Sequence, residues 1–168
     1  MIAGVDVLAT LADGALTVRR AQAADLPALV GLIAADPVSA GRGDAAGDLA
    51  PYAAAFAEID DDPAHLLVCL DDADGATVGT LQLTVLPSLG RRGTRRAQLE
   101  SVHVDERCRG RGHGVLLVGW AVEEARRRGC GLVQLTSDTS REGAHRFYER
   151  LGFTASHVGF KKDLTSRR

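Results

Sequence analysis

No stretch of this sequence approaches the roughly 20 consecutive apolar residues that a bilayer-spanning helix requires. The first residues, MIAGVDVLATLADGAL, have no basic n-region and carry Asp6 and Asp13. No membrane segment or secretory leader is expected, and the expected location is the cytoplasm. Cys69, Cys108 and Cys130 are odd in number, widely separated and without a CxxC pair, so neither a disulfide framework nor a metal site is expected. Repeats, low-complexity tracts and dividing linkers are also missing. In 168 residues that leaves an unassigned N-terminal segment, 1–14, and a single domain, 15–168.

Apolar residues make up 45% of the chain and charged residues 25%, the balance of a globular protein rather than a disordered one. The net charge is only −2, but its distribution is uneven. Residues 1–84 carry 13 acids and 3 bases, and residues 85–168 carry 9 acids and 17 bases. The second half is therefore the part that attracts an anion. Arg91, Arg92, Arg95 and Arg96 fit solvated loop charges, with an acidic substrate or a nucleotide 3′-phosphate as alternatives. No aromatic platform is interleaved with them and the domain as a whole is mildly acidic, so no nucleic-acid partner is expected.

The element pattern starts with a strand at ALTVRR, 15–20. Asp25 is the expected N-cap of a helix with Pro27 in its first turn and Leu26, Leu29, Val30 and Ile33 on its apolar stripe, stopping near Asp36-Pro37. VSAGRGDAAG, 38–47, reads as a loop and 48–60 as a second helix. HLLVCL (65–70) and ATVGTLQLTVL (76–86), joined by DDADG, read as an antiparallel hairpin, and AQLESVHV (97–104) as a third strand of the same meander. A helix over 115–129 follows, with Glu123/Arg127 and Glu124/Arg128 at i,i+4 and Gly129 as its stop. LVQLTS (132–137) is the next strand. The capping-box pattern Thr139-Ser140-Arg141-Glu142 introduces a helix carrying Ala144, Phe147, Tyr148 and Leu151, ended by Gly152, and 153–164 reads as a last strand or pair of strands. This order implies an α+β domain with a mixed sheet.

Between the third strand and its helix lies RGRGHG, three glycines in five positions beside Arg109 and Arg111. A strand, a bend and a glycine-rich helix start aim the backbone N–H groups of residues 110–114 at one point, at the positive end of a helix dipole. Such a nest binds phosphate oxygens, and glycine allows a close approach or a positive φ. The expected ligand carries a pyrophosphate. A P-loop is excluded because no Gly-Lys-Ser/Thr follows, and the dinucleotide GxGxxG fails at Val115. The loop also follows an antiparallel meander rather than a βαβ unit.

Arg109-Gly110-Arg111-Gly112-His113-Gly114 resembles the R/Q-x-x-G-x-G/A signature of the GNAT superfamily of N-acyltransferases. ALTVRRAQAADLPALVGLI resembles that family's first strand and helix, and AHRFYERLGF (144–153) its final helix motif, so the likeness covers about residues 15–162. The resemblance implies a mixed, mostly antiparallel sheet flanked by helices, and acetyl-CoA as cosubstrate. It implies that residues 109–114 hold the pyrophosphate, and that backbone N–H groups of Val102, His103 and Val104 serve the thioester on a strand splayed from its neighbour.

For the chemistry, Glu100, nine positions before Arg109, is the candidate base. His103 competes, since histidine titrates near neutrality, but strict alternation sets it on the opposite face unless a bulge intervenes. Tyr148 matches the family's helix tyrosine. A phenol of reference pKa about 10 can protonate a thiolate of reference about 8.5, although a core aromatic on the Ala144/Leu151 stripe would look the same. The family's usual asparagine, a cofactor contact, is replaced here by Arg141. The expected activity is acetyl transfer from acetyl-CoA to a primary amine of a small molecule, with a homodimer as the default assembly. The alternatives are a noncatalytic CoA-binding or sensing module on the same fold and, more remotely, a nucleotide-dependent oxidoreductase.

Overall fold

The computed structural model describes residues 5–41, 43 and 47–164. The chain divides after Leu135 into two compact units. The first holds one six-stranded sheet in chain order: β1 (Val7–Leu11), β2 (Leu16–Arg20), β3 (His65–Asp72), β4 (Thr77–Leu86), β5 (Arg95–Val104) and β6 (Cys130–Leu135). Every neighbouring pair is antiparallel except β5 and β6, which are parallel. Its helices are α1 (Leu26–Ala34), α2 (Pro37–Gly41), α3 (Ala50–Asp61) and α4 (His113–Arg127). The second unit contains α5 (Glu142–Arg150). Among the described residues no helix is long and apolar enough to cross a membrane.

Residues directly opposite one another in neighbouring strands share a face of the sheet. One face carries Leu66, Val68 and Leu70 of β3, Leu81 and Leu83 of β4, and Ala97 and Leu99 of β5, none more than 2% exposed. It is covered by Leu117, Val118, Ala121 and Ala125 of α4. Each large aliphatic side chain buried there contributes about 1.5–3 kcal/mol. On the other face, Ala21, Leu67 and Cys69 pack under Leu26 and Leu29 of α1 and Phe56 of α3. Further along, that second face turns polar: Gln82 and Thr84 of β4, Arg96, Gln98 and Glu100 of β5, and Gln134 of β6.

The start of α1 is tied to the sheet by a buried cation. Arg19 of β2 donates from Nη1 to Asp25 at 2.6 Å and from Nε to Asp71 of β3 at 2.5 Å. Burial raises the pKa of Asp25, but the bonds it accepts from Arg19 and from the Gln22 N–H outweigh this and hold it below its ordinary value of 3.8. Burial pushes the neighbouring Cys69 thiol up to about 12, leaving it uncharged and inert at neutral pH.

Several expectations need correction. The segment before residue 15 contains a strand, β1, which folds back on β2 through Asp13-Gly14, with Ala12 and Asp13 at φ 51° and 53° and Gly14 at 94°. Asp25 stands at the α1 N-cap position without capping α1. Its carboxylate is drawn to Arg19 and accepts the Gln22 N–H at 2.7 Å, a stronger, charge-assisted arrangement. The stretch 38–47 is not all loop, since Pro37–Gly41 make one helical turn; residues 42 and 44–46 lie outside the described residues.

On α4, Glu124 takes both Arg127 and Arg128 at 2.7 Å, and Glu123 pairs with Arg126, so the expected Glu123–Arg127 pair does not form. Thr139 caps nothing, because α5 begins at Glu142 after Arg141, and Asp138 accepts the Ser140 N–H and hydroxyl instead. Residues 153–164 form no strand. Side chains from Thr154 to Leu164 are all exposed, only Val158 and Phe160 supply apolar alternation, and the second unit offers no ladder to join.

Candidate active site

The end of β5 is irregular. Opposite β4, Thr80 faces His103 and Gln82 faces Glu100, so Leu81 alone stands against both Ser101 and Val102. This is a bulge, and Ser101 adopts φ 48° to make it. Thr80 and Gln82 lie two residues apart on one face of β4, about 7 Å. Their partners His103 and Glu100 therefore share that face. On its other side β5 pairs with β6 only as far as Leu99–Leu135. Residues 100–104 thus have a strand on one side alone; the Asp105 N–H bonds to the Val78 carbonyl of β4 at 2.9 Å, so by alternation the N–H groups of Val104 and Val102 face away from β4. Glu100 is exposed, and Val102, His103 and Val104 are half-buried.

Beyond Val104 the chain bends through Asp105. Its carboxylate accepts the Arg107 N–H at 2.9 Å and the Arg107 side chain at 2.6 Å, and those bonds lower its pKa to about 2. Gly110 and Gly112 take φ 76° and 83°, a backbone that favours glycine, and Gly112 is the residue before α4. The first helical bond runs from the Leu116 N–H to the Gly112 carbonyl. The N–H groups of His113, Gly114 and Val115 accordingly have no partner within the helix. Arg109 and Arg111 are exposed and form no ion pair among the described residues, whereas Arg107 is held by Asp105. Arg111, His113 and Cys108 line a cleft of about 270 Å³ that Asp72 and Asp74 border from the β3–β4 turn, so the positive field of the loop is locally tempered. A pyrophosphate fits this donor set: positive φ at two glycines, three free helix N–H groups and two arginines.

Tyr148 lies on α5 in the second unit, with its ring edge-on to Phe147 (centroids 5.1 Å apart) and to Phe153 (5.8 Å). Burial raises its pKa above the ordinary 10, more than Arg141 lowers it. At neutral pH the hydroxyl therefore carries its proton. The structure thus brings Glu100, residues 102–104 and the 109–114 loop together on one strand and its exit, and sets Tyr148 in an aromatic cluster of its own unit. Among the described residues no group of three or more His, Cys, Asp or Glu side chains can hold a metal ion.

Two contributors, Ser101 and Gly79, are not announced as site residues by the sequence. Ser101 carries the bulge, and no residue preference announces it, because serine is not favoured at positive φ. Gly79 of β4 lets the bulged strand approach, since a Cβ there would stand 3.1 Å from the His103 carbonyl oxygen. A lone glycine inside a strand pattern is the available signal for such an approach. The polar face was legible in the alternation of Arg96, Gln98 and Glu100 with Ala97 and Leu99, where the Gln134 side-chain amide donates to Gln98 at 2.7 Å.

The family model for the acetyltransferase (GNAT) family matches residues 32–153, from α1 to the end of the Tyr148 motif. The chain belongs to the GNAT acetyltransferase family. Among GNAT relatives, an aminoalkylphosphonate N-acetyltransferase of Salmonella typhimurium is 46% identical over 56 residues, which is 33% of this chain and 36% of that protein. The matching stretch thus spans about a third of the length of that curated relative. The solved structure of a transcriptional regulator from Bacillus halodurans is 40% identical and superposes with a TM-score of 0.83 over 89% of this chain and 99% of its own. A predicted acetyltransferase of Clostridium acetobutylicum, solved with acetyl-CoA, is 15% identical with a TM-score of 0.70, over 89% of this chain and 96% of its own, and shares the fold.

Proposed function

We propose that this GNAT protein transfers an acetyl group from acetyl-CoA directly to a primary amine of a small molecule. The observation that carries this reading is the exit of β5, where residues 100–104 pair on one side only and run straight into the glycine nest at 109–114. The family membership, the name of the Salmonella relative and the acetyl-CoA in the Clostridium structure support it.

When bound, acetyl-CoA supplies an acetyl group activated as a thioester. The N–H groups of residues 110–114 and the charges of Arg109 and Arg111 hold its pyrophosphate. Within the Val102-His103-Val104 segment, the backbone N–H groups that face the unpaired edge of β5 donate to the carbonyl oxygen, where negative charge builds up during transfer. Glu100 takes the proton that an ammonium must lose before its nitrogen can attack. As the C–N bond forms and the C–S bond breaks, Tyr148, kept protonated by burial, gives its proton to the departing thiolate, and the second proton released by the attacking nitrogen returns to the tyrosinate through solvent.

The second reading is a noncatalytic CoA-binding or sensing module on the same fold, and the likeness to the Bacillus transcriptional regulator favours it. Thiol release from acetyl-CoA in the presence of a panel of primary amines separates the two. Amine-dependent release establishes the enzyme. CoA binding by calorimetry without release for any amine establishes the module.

A further inference from the structure

The polar face that carries Glu100 also carries a cation with no counter-charge among the described residues. Arg96 precedes Glu100 by four residues on β5, so both side chains leave the same face, about 13 Å apart along the strand. Between them lie Gln98, bonded to Gln134 of β6, and across from them Thr84 and Gln82 of β4. Arg96 is half-buried and its Nε is buried without a hydrogen-bond partner. The other described arginines of the first unit that are not fully exposed all have a carboxylate: Arg19 has Asp25 and Asp71, Arg20 has Asp60, and Arg128 has Glu124. Arg95, the preceding residue, points to the opposite face, where it lies near the Cys130 thiol.

A guanidinium withdrawn from water without a carboxylate is costly, and a fork of N–H donors matches an oxyanion. We infer that Arg96 is the acceptor's anion-binding residue, and that the preferred acceptor is an amine bearing a carboxylate or a phosphonyl or phosphoryl group at its far end. The amine then reaches Glu100, and the oxyanion occupies Arg96 at the other end of the glutamine-lined strip. This rests on the acetyltransferase reading above and adds the substrate class.

The test measures kcat and KM for 2-aminoethylphosphonate and β-alanine against the uncharged propylamine and 3-amino-1-propanol, with CoA affinity measured separately by calorimetry. The charged amines should have kcat/KM about tenfold or more above the neutral ones, the scale of one charge-assisted contact. Arg96→Gln should bring that ratio to near one, chiefly through KM, Arg96→Lys should restore part of it, and Arg92→Gln, which removes the same charge from the exposed turn before β5, should leave the ratio intact. CoA binding and turnover of neutral amines with no preference for the charged ones, or a preference that survives Arg96→Gln, overturns the inference and leaves the acetyltransferase standing. Absence of CoA binding, or of thiol release with every amine, overturns both.

Discussion

Glu100 and His103 face the same side of the sheet although they are three residues apart in one strand, because the bulge at Ser101 absorbs the extra residue. Strict alternation would have set them on opposite faces. Two side chains that can accept a proton therefore stand on the same face, about 7 Å apart along the strand.

Glu100→Gln should lower kcat/KM for an amine by about 10²-fold and remove one limb of its pH profile. The residual activity should fall further in the double variant with His103→Gln if both groups remove protons. Equal rates for the single and double variants would show that the His103 side chain removes no proton. A wild-type rate and profile in Glu100→Gln would displace the glutamate as base.

Gly112 takes φ 83°, and a Cβ there would meet nothing within 4 Å. Gly112→Ala should thus cost only the left-handed backbone, about 1 kcal/mol, read as a small drop in Tm. Gly112→Asp adds a carboxylate at the helix N-terminus where the pyrophosphate is proposed to sit and should abolish CoA binding in calorimetry while the protein stays folded. Unchanged affinity in that variant would refute the phosphate nest.

Tyr148→Phe retains the ring that packs against Phe147 and Phe153 and deletes only the hydroxyl. Folding and CoA affinity should stay near wild type while kcat falls by about 10²-fold in steady state and in single turnover. Near-normal turnover in both assays would return Tyr148 to a packing role.

Asp25→Asn removes one of two carboxylates from buried Arg19 and should cost about 2–3 kcal/mol of stability at neutral pH, less than the roughly 3–5 kcal/mol of breaking a buried pair outright because Asp71 remains. The sign of the pH dependence follows from the lowered pKa of Asp25. Its contribution is fully present above the ordinary value and is lost as pH falls through the native one. Denaturant titrations of the two proteins should therefore converge below about pH 4. A gap that persists unchanged into acid would mean that the carboxylate's charge is not what stabilises this junction.

By itself the sequence determined what depends on local chemistry. Gly110 and Gly112 announce their positive φ because only glycine adopts it cheaply, and Gly129 and Gly152 end their helices at φ 74° and 85° for the same reason. Alternation in β3, β4 and β5 and the periodicity of α1 and α4 placed those five elements in the chain. Tertiary structure decided whatever depends on a partner distant in the chain. Whether Asp25 caps a helix or neutralises Arg19 is settled by Asp71 and Arg19 meeting across two strands. Whether 153–164 is a strand is settled by the ladder available to it, since strand propensity without a paired backbone stabilises little. The bulge at Ser101 likewise arises from the register against β4, and it sets which side chains stand beside Glu100.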